Sequence, residues 1–251
     1  MTVKIYGYGW VGKAVHSIFP SALIHDPMQG FVEKRSADVA MVCVPTPNLE
    51  DGSLDMSFVE QVVRDNNEEL VVIRSTLQPG TCDRLEEKYG KNIVFQPEYL
   101  GESVAHPLLD EGERPFLVIG GRPENRRKLI NLYQGVYNAN INIRQVTNLE
   151  AEVIKLSENR AIAFKVIQCQ ELFSACERAG VDYYVIREAV YGDDPRFNLW
   201  FTFVYPESRG ANSKCIPKDV KAWSAWAGRP KLTEALLEYN ERLISAVDSN
   251  T

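Results

Sequence analysis

Val3-Lys4-Ile5-Tyr6-Gly7-Tyr8-Gly9-Trp10-Val11-Gly12 decides the reading of this chain. Val3-Lys4-Ile5-Tyr6 reads as a short buried strand. It runs into a GxGxxG pattern at Gly7, Gly9 and Gly12, and then into a helical pattern ending near Phe19-Pro20. Glycine suits three jobs at these positions: a tight turn, close approach of backbone to a pyrophosphate, and close packing of helix on strand. The helix N-terminus, at Trp10 and Val11, would hold phosphates through backbone N–H groups that lack helical partners. A lone GxGxxG is a weak signal, but this one follows a strand and opens a helix. A second apolar run, Ala22-Leu23-Ile24-His25, ends in Asp26, about 20 residues after Gly7. A carboxylate there binds a ribose 2′-OH and repels a 2′-phosphate, which favours NAD over NADP. The plainer alternative is a strand-turn-helix that holds no phosphate.

The same grammar repeats downstream. Ala37–Val44, Leu70–Thr76, Asn92–Phe95 and Phe116–Ile119 are continuous apolar runs of the kind found in strands covered on both faces. The first stops at Pro45-Thr46-Pro47, and a polar loop, Glu50-Asp51-Gly52-Ser53, leads to a helix from about Ser57. Pro79-Gly80-Thr81 opens another helix, and Pro97-Glu98-Tyr99-Leu100-Gly101-Glu102 follows the next run. Strands alternating with helices predict an α/β fold with a Rossmann-like, doubly wound parallel sheet over residues 1–146. Ligands of such sheets bind at the carboxyl ends of the strands, where Pro45, Thr46, Thr76 and Glu98 fall.

After about Thr147 the character changes, and residues 147–251 read as an all-helical domain. Leu149–Ala179 has no glycine or proline and carries apolar residues at helical spacing, which predicts one long helix capped by Gly180. Further helices are expected at Tyr184–Val190, Pro217–Trp226 and Leu232–Val247; Gly192–Ser213 has no assignable pattern. Within this part, Cys215 lies between Asn212-Ser213-Lys214 and Ile216-Pro217-Lys218-Asp219. Pro217 suits a first helical turn, and a thiol there feels the positive end of the helix dipole beside Lys214 and Lys218, all of which favours thiolate. Taken alone, the stretch reads more readily as a half-buried structural cysteine beside a solvated Lys-Asp pair.

Composition bounds the function. A chain of 251 residues with a net charge of −6 is a poor nucleic-acid binder. Five cysteines without CxxC spacing fit a reducing compartment better than a disulfide framework or a metal site. No signal peptide opens the chain, and no apolar run approaches the roughly 20 residues that span a bilayer. A cytoplasmic protein without membrane partners is expected.

Together these motifs resemble the UDP-glucose/GDP-mannose dehydrogenases, four-electron oxidoreductases that convert a nucleotide sugar to its uronic acid with two NAD. The resemblance rests on Gly7–Gly12, Val42–Pro47 with Asp51-Gly52-Ser53, Ser75-Thr76 with Pro79-Gly80-Thr81, and Pro97–Glu102. It continues through Ala151-Glu152, Lys155, Asn159, Asp194-Pro195-Arg196 and Cys215–Asp219. Oxidising a primary alcohol to an acid in one site requires the aldehyde to be held and made a hydride donor again, which a thiolate does by adding to it. By resemblance Cys215 is that nucleophile. Lys155 and Asn159, four apart on one helix face, would steady the oxyanions. The resemblance makes Asp219 a water-positioning partner of Lys155, Glu98 the base of thioester hydrolysis, and Thr76 a hydrogen-bonding group for water or cofactor. It places Tyr99, Leu100, Glu102 and Lys218 at substrate or cofactor, and Arg196 at the substrate of a partner subunit in a homodimer built on the long helix. Read singly, Lys155 and Asn159 are solvated helix residues, and Glu98 and Glu102 are loop carboxylates. Cys43, Cys169 and Cys176 read as core, and His16, His25 and His106 match no motif.

The chain departs from the family pattern in two places. The resemblance stops near Thr251, whereas family members carry a third, nucleotide-binding domain. That part is therefore expected to be missing by truncation, supplied by a companion chain, or dispensable for a smaller sugar. The glycine-rich run before the cysteine is replaced by Arg209-Gly210-Ala211-Asn212-Ser213-Lys214. The leading expectation is UDP-glucose 6-dehydrogenase chemistry. The alternatives are the same chemistry on another NDP-hexose or a smaller sugar, and an NAD-binding subunit without turnover.

Overall fold

The computed structural model describes residues 1–101, 108 and 110–248. Glu102 and His106 lie outside the described residues. Five parallel strands form one sheet in the order β2-β1-β3-β4-β5: β1 (Val3–Tyr6), β2 (Leu23–His25), β3 (Val39–Val42), β4 (Leu70–Ile73) and β5 (Ile93–Phe95). The order reverses between β1 and β3, so the carboxyl ends of these two strands border a crevice. The register explains why the runs are apolar throughout. Ile5, Met41, Val72 and Val94 lie side by side across the sheet and belong to one core cluster. The neighbouring row, Val42, Ile73 and Phe95, points to the opposite face and to a second core.

Helices cover both faces. α1 (Trp10–Ile18) contributes Val15 to the first core, as does α4 (Pro123–Leu132) through Leu129. α2 (Ser57–Asp65) and α3 (Thr81–Tyr89) contribute Val59, Val63, Cys82 and Leu85 to the second. Each fully buried aliphatic side chain stabilises the fold by roughly 1.5–3 kcal/mol, and only a two-faced sheet lets both rows bury at once. The doubly wound architecture is thereby confirmed. The sixth apolar run, β6 (Phe116–Ile119), ladders with β7 (Asn142–Gln145) in a separate parallel pair, and Gly120 N donates to Phe95 O at 2.8 Å. β7 is not readable from the sequence, because its polar residues sit exposed at an edge.

The long helix α5 spans Asn148–Ala179. Its start is a reciprocal cap: Thr147 N donates to Glu150 Oε2 (2.7 Å), while Glu150 N donates to Thr147 Oγ1 (3.2 Å). Gly180 ends it in the left-handed region, at φ +68°. The chain divides into two compact units: residues 1–49 with 54–155, and residues 50–53 with 156–251. The second unit also holds α6 (Tyr183–Arg187) with a wider π-turn through Gly192, α7 (Ile216–Trp226) and α8 (Lys231–Asp248). Between Gly192 and Cys215 there is no regular helix or strand. Side chains tie that segment to helices instead: Tyr184 Oη donates to Val204 O (2.8 Å), Arg187 Nε to Thr202 Oγ1 (2.8 Å), and Lys165 Nζ to Asn198 O (2.7 Å). Among the described residues, no helix is long and apolar enough to cross a membrane.

Two glycines of the N-terminal motif are sterically required. A Cβ on Gly12 would lie 2.1 Å from Gly7 O, and one on Gly7, whose φ is +90°, would lie 2.7 Å from Cys43 O. A Cβ on Gly9 meets nothing within 4 Å. Gly12→Ala is therefore expected to destabilise the fold by about 3 kcal/mol, whereas Gly9→Ala leaves thermal unfolding within a degree or so of wild type. Equal losses in the two variants would contradict this division of labour.

Glu152, fully buried on α5, accepts hydrogen bonds from Gly80 N (2.6 Å) and Cys82 N (2.8 Å) and so caps α3. Burial outweighs these bonds and lifts its carboxyl to about 6. A raised folded-state value means the folded protein binds the proton more tightly than the unfolded chain. The associated stability, about 2 kcal/mol, is then fully present below the ordinary glutamate range and lost as pH rises through about 6. Denaturant titrations are expected to show wild type gaining this amount over Glu152→Gln between pH 7 and pH 4. A pH-independent difference would refute the assignment.

Candidate active site

The glycine motif and Asp26 both lie in the first unit. α1 starts after Gly9, which has extended backbone and no side-chain cap. The glycine at the helix mouth is thus the one with room for a ligand, while Gly7 and Gly12 serve packing. Trp10 is exposed and Val11 half-buried. Asp26 follows β2, and its Oδ2 accepts from Tyr8 N (2.7 Å) and Gln29 Nε2 (2.8 Å). Partial burial opposes ionisation, but the hydrogen bonds from Tyr8 and Gln29 win and hold the carboxyl below its usual range. Oδ1, with one 3.3 Å contact from Gln29 N, keeps capacity to accept from a ribose hydroxyl. These residues fit a dinucleotide.

At the strand ends, Thr46 is buried, Pro45 exposed and Thr76 half-buried, and Ser75 Oγ ties β4 to the end of β3 by donating to Val44 O at 2.7 Å. Cys43 lies one residue past β3, and burial pushes its thiol up to about 12, so it is inert packing. Cys169 and Cys176 are buried in the second unit, as expected of core residues. His16 contacts Tyr8 Oη through Nδ1 (2.7 Å), and His25 Nδ1 contacts Glu33 O (3.0 Å).

Glu98 occupies a buried cluster of four charges. Arg74 and Arg114 each donate to its carboxylate and also to Glu111, at 3.0 and 2.6 Å. Tyr99 N and Leu100 N each donate to Glu98 Oε1 at 2.7 Å, and Tyr137 Oη donates to Glu111 at 2.8 Å. Burial works against the charge on Glu98, yet the two guanidiniums hold its carboxyl below the ordinary range. Such a carboxylate is a weak base but an ionised acceptor at any pH near neutrality. The same guanidinium of Arg114 lies 5.7 Å from the Tyr99 ring, and Lys155 Nζ lies 5.3 Å from that ring. Lys155 is only 7% exposed, which removes the reading of a solvated helix residue.

The second unit brings together Asn159, Asp219, Lys218 and the cysteine turn. Asn159 Nδ2 donates to Asp219 Oδ2 at 2.6 Å, both residues being buried, and Lys218 Nζ pairs with Asp219 Oδ1 at 2.8 Å. Asn159 is therefore not a surface amide. Cys215 is exposed at the N-cap of α7, four residues ahead of Asp219, whose N–H donates to Cys215 O at 2.9 Å. Ile216 N donates to Ser213 Oγ (3.2 Å), and Pro217 occupies the first turn. Arg196 is exposed and paired with Asp194, its Nε donating at 2.9 Å.

Four residues of these arrangements were not singled out by sequence reasoning: Arg74, Glu111, Arg114 and Asn240, the last of which grips the segment before Cys215. Arg74 had one available signal, a lone cation at the end of an apolar run. Glu111 and Arg114 had another, their opposite charges three apart.

Residues 29–139 match the UDP-glucose/GDP-mannose dehydrogenase family, NAD binding domain, and residues 149–243 match the same family's central domain. GDP-mannose 6-dehydrogenase of Pseudomonas putida is 30% identical over 230 residues, covering 82% of this chain and 51% of that protein. UDP-glucose 6-dehydrogenase of Pseudomonas aeruginosa is 30% identical over 204 residues, covering 74% and 44%. The chain thus spans about half the length of the curated relatives it matches. Among solved structures, a UDP-glucose dehydrogenase from Pyrobaculum islandicum shares the fold with a TM-score of 0.79 at 23% identity, over 96% of this chain and 68% of that one. Both domain matches fall in the family's order on one chain, and the protein belongs to the UDP-glucose/GDP-mannose dehydrogenase family.

Proposed function

We propose that this chain is an NAD-dependent nucleotide-sugar 6-dehydrogenase that oxidises a primary alcohol to a carboxylate through Cys215. The observation that carries the proposal is the exposed thiol at the N-terminus of α7, four residues before a buried Asp219 hydrogen-bonded to Asn159. A merely structural cysteine would be covered, and a non-catalytic domain has no use for a buried Asn–Asp pair joined by a half-buried lysine beside it.

Bound NAD supplies the acceptor for the hydride lost at each oxidation. After the first, the alcohol carbon is an aldehyde. Cys215 Sγ adds to it, and the resulting oxyanion takes a proton to give a thiohemiacetal on the enzyme. The second oxidation removes hydride from the same carbon and leaves a thioester. Water then attacks, the C–S bond breaks, and the thiolate departs as the carboxylate forms. Lys155 and Asn159 supply donors for the oxyanions. Asp219 and the ionised Glu98 orient the attacking water. Gly9 leaves room for the pyrophosphate, and Asp26 accepts from the ribose 2′-OH. Thr76, Pro45 and Thr46 line the cofactor, and Tyr99, Leu100, Glu102, Lys218 and Arg196 contact substrate.

UDP-glucose is the first substrate to try. Another NDP-hexose is the second reading, favoured by relatives named for GDP-mannose and for UDP-glucose at the same 30% identity and by the altered run Arg209–Lys214. The protein is further proposed to work in the cytoplasm as a homodimer paired through α5, with Arg196 serving the partner's site.

Absorbance at 340 nm with NAD and a panel of nucleotide sugars is expected to show two NADH per sugar consumed, lost in Cys215→Ser. Light scattering of the same sample is expected to give twice the chain mass. No NADH with any sugar, or one per sugar, would overturn the four-electron route.

A further inference from the structure

We propose that Asn240 of α8 is a positioning residue for Cys215, acting as a two-way clamp on the backbone that leads into the cysteine turn. The inference rests on the reading of Cys215 as the nucleophile.

The segment before the cysteine has fewer glycines than its family counterpart and no periodic pattern, yet it is fixed residue by residue. Arg209 lies over the Phe173 ring of α5 at 4.9 Å. Its Nη2 donates to Gln170 O (3.1 Å) and Ser174 Oγ (2.8 Å), and its Nε donates to Gln170 Oε1. Gly210 follows in the left-handed region, at φ +83°. A Cβ there would lie 2.8 Å from Asn240 Oδ1 and 3.1 Å from Ile244 Cγ1, so conformation and space both require glycine. At Ala211 the clamp closes. Ala211 N donates to Asn240 Oδ1 at 2.6 Å, and Asn240 Nδ2 donates back to Ala211 O at 3.2 Å.

Both partners are buried, Asn240 at 4% exposure and Ala211 at 7%. A carboxamide suits this place because one planar group offers an acceptor and a donor side by side, matching the N–H and C=O of one residue. A carboxylate lacks the donor, and an aliphatic side chain strands both peptide groups away from water. Beyond the clamp, Asn212 Nδ2 donates to Ser208 Oγ (3.0 Å) and Ser213 Oγ receives Ile216 N. Lys214 and Cys215 are exposed at the end of this braced segment. The thiol's place at the mouth of α7 is thus set by two anchors, Arg209 on α5 and Asn240 on α8.

The test uses the thiol itself, with no sugar and no NAD. Cys215 is the one exposed cysteine of five, so iodoacetamide alkylation, checked by peptide mass mapping, reports its thiolate as a function of pH. Asn240→Ala, shown folded by circular dichroism, is expected to raise the midpoint of the pH–rate profile by more than about 0.3 unit, because the thiol drifts from the helix mouth. In turnover, kcat is expected to fall about tenfold or more with KM for NAD changed less than about twofold. Asn240→Asp keeps the acceptor for Ala211 N and loses the donor. It is expected to shift the midpoint in the same direction, and it carries the test alone should the alanine variant not fold. A midpoint that stays put or moves down in a folded variant overturns the proposal. A midpoint raised in the variants, beside a wild-type protein that oxidises no sugar, would leave the clamp standing and sink the proposed reaction instead.

Discussion

Four buried charges, Arg74, Glu98, Glu111 and Arg114, hold the carboxyl end of the sheet in one arrangement. Each ion taken into the interior costs several kcal/mol, and mutual attraction offsets this only where geometry and hydrogen bonding are close to complete. Here both carboxylates meet both guanidiniums, and two backbone N–H groups and a tyrosine hydroxyl fill further acceptor sites, while Nε and Nη1 of each guanidinium are buried with no hydrogen-bond partner among the described residues. The three segments that supply these groups, the end of β4, the turn after β5 and the approach to β6, have little freedom to move independently. Removing any one member strands the others, so the cluster specifies geometry more than it adds stability. What it specifies is the turn that carries Glu98, Tyr99 and Leu100, and the ring over which Lys155 lies.

The second unit solves the same problem with less charge. One buried carboxylate, Asp219, is shared between the Asn159 amide and the Lys218 ammonium, and the cysteine segment is gripped through its own backbone. Exposure of Cys215 is compatible with precise placement because the restraint comes from residues either side of it. Paired buried charges hold the carboxyl end of the sheet, and neutral amides hold the segment that leads into Cys215.

The sheet was legible because its strands are covered on both faces: Ile5, Met41, Val72 and Val94 can be apolar only if helices lie over them. The glycine motif was legible because two of its three members answer a steric demand within 3 Å. The start of α5 could have been placed from Thr147 and Glu150, whose spacing is that of a reciprocal cap. β7 was not legible, since Asn142-Ile143-Arg144-Gln145 pairs through its backbone at an exposed edge and its side chains carry little record of it. The site residues on helices were named from resemblance, but whether Lys155 and Asn159 face solvent depends on tertiary burial that no local pattern encodes. The charge cluster was hidden for the same reason, its members coming from three distant segments. The Asn240 clamp joins one residue of α8 to a peptide 29 positions earlier.

The central claim is a covalent bond between Cys215 and the substrate carbon, and intact-mass spectrometry of protein quenched during turnover tests it most directly. Glu98→Gln, incubated with NAD and UDP-glucose or GDP-mannose, should accumulate a species heavier by the substrate less four hydrogens, mapped to the Cys215 peptide. Uronic acid formed at a steady rate, with no such adduct in wild type or variant, would contradict the account.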